Sequence, residues 1–104
     1  MSGTTVSGTA GSDNISCGAL ASGDSVNGLG GSDYIVINGI VAGTVDGGAG
    51  GDFLMANAGT TATGKILGGA DGDSLFVGPN AGTVDGGLGS DFCRVASGNP
   101  PISC

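Results

Sequence analysis

Hydrophobic residues along this chain fall at alternate positions in short runs, and the runs restart about every twenty residues. One set is Val6, Val26, Val45, Ile66 and Val84. A second is Ile15, Ile35, Leu54, Leu75 and Cys93, and a third is Cys17, Ile37, Ala56, Val77 and Val95. The second and third sets stand two residues apart, so their side chains share one face of a strand. No helical period is visible anywhere. The pattern predicts an all-β chain with two short strands per repeat, one on each side of a polar loop. Stacked repeats would form two parallel sheets around a thin aliphatic core.

The polar loops between the strands are themselves a repeat. Five copies align: "GTAGSDNIS" (Gly8 to Ser16), "GLGGSDYIV" (Gly28 to Val36), "GGAGGDFLM" (Gly47 to Met55), "GGADGDSLF" (Gly68 to Phe76) and "GGLGSDFCR" (Gly86 to Arg94). The sixth position is always aspartate, at Asp13, Asp33, Asp52, Asp73 and Asp91, in steps of 20, 19, 21 and 18 residues. A near-fixed period of this size signals stacked coils. The glycines point to turns with positive φ or close backbone approach. The repeats occupy residues 1–95, and residues 96–104 read as a C-terminal capping tail.

These copies resemble the nonapeptide GGxGxDxUx of the repeats-in-toxin family, a calcium-binding pattern. "GGAGGDFLM" matches in full, and "GGLGSDFCR" matches if Cys93 counts as the apolar residue; each of the other three replaces one glycine. The resemblance covers nearly the whole chain. It implies a right-handed parallel β-roll, or β-solenoid, of about five coils in a secreted protein. It also implies calcium held between successive loops by the aspartates Asp13, Asp33, Asp52, Asp73 and Asp91 and by loop carbonyls. Those carbonyls would come from Gly28 and Gly30, from Gly47, Gly48, Ala49 and Gly50, from Gly68 and Gly69, and from Gly86, Gly87 and Gly89.

The chemistry of the loops agrees. Calcium takes 6–8 oxygen ligands, and each loop offers carbonyls and one carboxylate, which is half a site. Two loops at the spacing of a parallel stack can sandwich an ion, so five half-sites allow three to four ions. The opposite edge carries only Gly/Ala/Thr/Asn turns and Asp24, so calcium is expected on one edge. Thr9 takes the second glycine position of the first copy and Ala10 its third position, which makes the first site doubtful. Asp71 replaces a glycine in the fourth copy, tolerates a left-handed turn and could add a ligand. Asp46 and Asp85 could be outer ligands or turn formers, with turn formers favoured. The alternative for the whole aspartate column is a turn-forming ladder without metal, in which stacked carboxylates repel one another.

Composition narrows the partners. Of 104 residues, 25 are glycine, and all nine acidic residues are Asp. Lys65 and Arg94 are the only cations, and the formal net charge is −7. That balance repels nucleic acid and anionic membrane surfaces and favours cations. The longest apolar-leaning run, Tyr34 to Gly43, is about half the length needed to span a bilayer. The N-terminal "MSGTTVSGTAG" has no signal-peptide pattern, which suits an intracellular chain, a trimmed mature form or an export route that ignores the N-terminus. With no His, no Glu and no nucleophile beside a base, no enzyme is expected.

A disulfide between Cys93 and Cys104 would fold the tail over the last coil and cap it; the alternative is two reduced thiols. Such a bond would imply an oxidising, extracytoplasmic setting. The resemblance favours the bond, since similar cysteine pairs occur in family members. Cys17, four coils from Cys93, is expected to be a buried core residue, with an intermolecular bridge as the rival. On the outward face of the second strand, Tyr34, Val36, Phe53, Met55 and Phe76 form an apolar stripe suited to self-association or to packing against a neighbouring domain. Self-assembly into a fibre or matrix is therefore the alternative function. The outward column Thr5, Ser25, Thr44, Lys65 and Thr83 raises ice binding as a weaker third, because Lys65 interrupts it.

Overall fold

The computed structural model describes residues 5–103, and these form ten strands and no helix. In chain order they are β1 (Thr5–Ser7), β2 (Asn14–Cys17), β3 (Ser25–Asn27), β4 (Tyr34–Ile37), β5 (Thr44–Asp46), β6 (Phe53–Ala56), β7 (Lys65–Leu67), β8 (Ser74–Asn80), β9 (Thr83–Asp85) and β10 (Phe92–Gly98). Odd-numbered strands make one parallel sheet in the order β1-β3-β5-β7-β9. Even-numbered strands make the other, in the order β10-β8-β6-β4-β2. The chain is thus a β-solenoid of about five turns, each contributing one strand to each sheet.

Register follows the repeat. Val6, Val26, Val45, Ile66 and Val84 are successive partners in the first sheet. Ile15, Ile35, Leu54, Leu75 and Cys93 are successive partners in the second. The inward residues of the three central coils are all buried. Burying each such aliphatic side chain contributes roughly 1.5–3 kcal/mol, and this alternation is what fixes the register. Cys17 packs against the core but is only half-buried, where full burial was expected, because β2 is the outermost strand of its sheet. It is a free thiol.

The edge opposite the glycine loops has its own column. Leu20, Val41, Thr60 and Asn80 are linked by parallel bridges, and all four are buried. The two polar members satisfy each other: the Thr60 hydroxyl donates to Asn80 Oδ1 at 2.5 Å. Asn80 Nδ2 donates to the Asn99 carbonyl at 3.1 Å. Asp24 is also buried there, and its carboxylate accepts the Ala21 N–H at 2.8 Å.

The last strand, β10, runs to Gly98. After Pro100 and Pro101 the chain returns to the first sheet. Ile102 bridges Asp85 in parallel. Its N–H donates to the Val84 carbonyl at 2.8 Å, and its carbonyl accepts the Gly86 N–H at 2.9 Å. The free edge of β9 is therefore covered by backbone pairing, which blunts an otherwise open sheet edge. Cys104 lies outside the described residues, and with it the expected Cys93–Cys104 pairing. No helix among the described residues is long and apolar enough to cross a membrane.

Candidate metal centre

The glycine loops stack along one edge between the two sheets. In coils two to five the second and fourth loop positions have positive φ: Leu29 and Gly31, Gly48 and Gly50, Gly69 and Asp71, Gly87 and Gly89. This alternation turns the chain tightly from one sheet to the other, and it is why glycine dominates those positions. Asp71, at φ 67°, takes the left-handed place expected of it. Its Oδ2 accepts the Gly50 N–H at 3.0 Å and so ties the fourth loop to the third. Asp46 and Asp85 are turn formers, each accepting the N–H two residues on, at 3.0 Å from Gly48 and 2.8 Å from Gly87. At the third position Ala49 donates its N–H to the Leu29 carbonyl of the preceding loop at 2.8 Å. Gly30 occupies the same position in the second loop.

The sixth-position aspartates point into the stack. Asp33, Asp52 and Asp73 are 3%, 3% and 2% exposed. Their two oxygens have different surroundings. Oδ1 accepts a backbone N–H from the aspartate one coil earlier: Asp13 donates to Asp33 at 2.9 Å, Asp33 to Asp52 at 2.9 Å, Asp52 to Asp73 at 2.7 Å and Asp73 to Asp91 at 2.8 Å. The Oδ2 atoms of Asp33, Asp52, Asp73 and Asp91 are buried and have no hydrogen-bond partner.

The first glycine of each loop shows what those oxygens face. A Cβ built on Gly47 would lie 2.7 Å from Asp52 Oδ2 and 2.7 Å from the Gly68 carbonyl oxygen of the next coil. On Gly28 it would lie 2.5 Å from Asp33 Oδ2 and 2.6 Å from the Gly47 carbonyl. On Gly68 it would lie 2.8 Å from Asp73 Oδ2 and 2.6 Å from the Gly86 carbonyl. Carboxylate and carbonyl oxygens, both acceptors, therefore converge over each glycine Cα, and a side chain there would collide with both.

Buried acceptors without a donor are costly. The effect shows in acidity: burial, reinforced by the charges of neighbouring aspartates, pushes the Asp52 carboxyl up to about 7 and that of Asp73 to about 6. The N–H donated to each acts in the opposite direction. Two kinds of particle relieve such a column: a proton on the carboxyl, or a cation between the oxygens. The donor set is all hard oxygen, which suits calcium. Among the described residues no three acidic or thiol side chains converge on one point. Each loop contributes one inward carboxylate, so an ion there would draw most of its ligands from backbone carbonyls.

The first loop is different. Neither Thr9 nor Gly11 has positive φ. The Thr9 N–H donates to Asp13 Oδ2 at 2.5 Å, and the Thr9 hydroxyl donates to Oδ1 at 3.1 Å. Both Asp13 oxygens thus find donors within its own loop, which sets it apart from the other four. Sequence reasoning flagged Thr9 as a departure but missed its role as a donor. It also missed the carboxylate-to-preceding-coil bonds, which have no signal beyond the 18–21 residue step. No family model, curated protein or solved structure matches the chain.

Proposed function

We propose that this chain is a calcium-binding β-solenoid module of the repeats-in-toxin type, in a secreted protein and without enzymatic activity, whose folding is coupled to ion uptake. The observation that carries this reading is the column of buried, partnerless carboxylate oxygens, each facing a backbone carbonyl of the next coil. Asp33, Asp52 and Asp73 would each lend Oδ2 to an ion between their own loop and the following one. Without a cation the buried charges repel one another, and the glycine-rich loops lose much entropy on ordering. Metal binding then becomes folding free energy. Calorimetric titration of the metal-stripped chain with calcium, with circular dichroism on the same samples, tests this. Uptake of three or four ions with a gain of β-structure is expected; no heat at pH 7.5 with β-structure already present would sink it.

The outer face of the second sheet favours self-association as a second reading. Tyr34 and Phe53 stack with ring centroids 4.9 Å apart. Phe76 continues the stack at 5.2 Å from Phe53, and Phe92 at 5.7 Å from Phe76. Val36 and Met55 are half-buried beside them. Tyr34 and Phe92 at the two ends are 44% and 57% exposed. Sedimentation with and without calcium decides between a monomeric module and a self-assembling subunit.

A further inference from the structure

The segment after β10 repeats the backbone pattern of a coil that the sequence motif does not announce. In coils two to five the first loop glycine is preceded by a strand residue whose carbonyl accepts an N–H from the first glycine one coil earlier. Gly8 donates to Asn27, Gly28 to Asp46, Gly47 to Leu67 and Gly68 to Asp85, each at 2.8 Å. Gly86 donates to Ile102 at 2.9 Å. Ile102 therefore holds the place of Asn27, Asp46, Leu67 and Asp85, and Ser103 the place of a first glycine.

The correspondence extends to the carboxylate. A Cβ built on Gly86 would lie 2.6 Å from the Ser103 carbonyl oxygen and 2.7 Å from Asp91 Oδ2. These are the partners that a Cβ on Gly68 would meet in the Gly86 carbonyl and Asp73 Oδ2, at 2.6 and 2.8 Å. Asp91 Oδ2 is buried and without a hydrogen-bond partner, as are its counterparts in Asp33, Asp52 and Asp73. A fifth loop at the end of the stack, facing water, would leave that oxygen hydrated. The returning segment instead shields it and sets a second acceptor against it.

We propose that the segment ending in Ser103 is the opening of a sixth coil, and that its Ser103 carbonyl and the Asp91 carboxylate complete a terminal cation site. This rests on the calcium reading above. The column of ions then runs over Asp33, Asp52, Asp73 and Asp91. It is displaced by one coil from the column that five sequence repeats imply, because Thr9 already satisfies Asp13. The terminal ion fastens the end segment to the stack.

The test uses the full, metal-stripped chain and calcium, with stoichiometry read by calorimetry and amide exchange read by nuclear magnetic resonance. The wild type is expected to take up four ions, one for each partnerless oxygen. Asp91→Asn is expected to take up one fewer. In that variant with calcium the Asp52 amide stays protected, while the Ile102 amide exchanges at least about tenfold faster than in the wild type. Ile102→Pro leaves every carboxylate in place but removes the N–H donated to Val84; it too is expected to lose one ion, which keeps the test valid if Asp91→Asn does not fold. Uptake of three ions by the wild type, or unchanged stoichiometry in both variants, overturns the terminal site while leaving the calcium reading standing. No uptake by the wild type overturns both.

Discussion

Asp33 donates its backbone N–H to Oδ1 of Asp52 at 2.9 Å, 19 residues further along the chain. The same carboxylate has its other oxygen buried and unpaired. One side chain thus serves the coil before it through one atom and keeps the other buried without a donor.

Asparagine at this position separates the two roles. Asp52→Asn keeps an oxygen to accept the Asp33 N–H, and its amide can donate toward the Gly68 carbonyl. The metal-free variant is expected to be more stable than the wild type at neutral pH. Its calcium affinity is expected to fall, with one ion lost. Asp52→Ala removes both roles and leaves the Asp33 N–H buried without an acceptor, a loss of about 1–3 kcal/mol. Urea unfolding with and without calcium checks the order of the three proteins.

The metal-free fold should respond to acid in the opposite sense to most proteins. Asp52 and Asp73 titrate in the folded chain at about 7 and about 6, against an ordinary value of 3.8. A folded-state value raised this way gives stability that is fully present below about 4 and is lost as pH rises through 6 and 7. Circular dichroism of the stripped chain is expected to show β-structure growing as pH falls from 7.5 toward 4. Calcium needs the carboxylates ionised, so its affinity is expected to fall over the same interval.

Leu29 takes a second-glycine place at φ 68° and is 47% exposed. A left-handed residue with a side chain costs roughly 1–2 kcal/mol, and little burial offsets it here. Leu29→Gly is therefore expected to raise stability in calcium by about 1 kcal/mol, less the gain in unfolded-chain entropy. Gly48→Ala, one coil on, should lose more than that, because φ is 82° and the new Cβ would strike the Leu29 carbonyl. Thermal unfolding in saturating calcium measures both.

Phe76 sits in the column of Val36 and Met55, yet its ring fills the gap between Phe53 and Phe92. Ser74, the register partner of both, is too small to fill it. Phe76→Ala breaks two ring contacts, worth about 0.5–1.5 kcal/mol each beyond burial. A destabilised chain with a weakened tendency to associate is expected from chemical unfolding and sedimentation velocity.

Strands, register and the aspartate column were all legible in the sequence, because each rests on a two-residue alternation repeated in phase. Ile35, Leu54 and Leu75 could be aligned by eye, and their burial follows from the alternation alone. Single-atom satisfaction was not legible: nothing in "GTAGSD" says that the Thr9 N–H and hydroxyl both turn back on Asp13. Nor was the pairing with β9 of Ile102, which comes directly after Pro100 and Pro101. They end β10 but leave the N–H of Ile102 free to pair. Thr60 and Asn80 continue a column begun by Leu20 and Val41, and hydrophobic patterning misses a column that changes from apolar to polar partway along.

The bond from Asp33 to Asp52 recurs in one direction only, from each coil to the one that follows it. The stack consequently has a polarity in time as well as in space. A chain that emerges N-terminus first, from a ribosome or through a pore, always has its newest coil waiting for an acceptor still some twenty residues away. Each turn is finished one turn late, and the last turn is closed by a short segment carrying no glycine-aspartate motif at all. Shortening the chain from that end would undo more than the residues removed, because every lost coil takes with it the acceptor of the coil before.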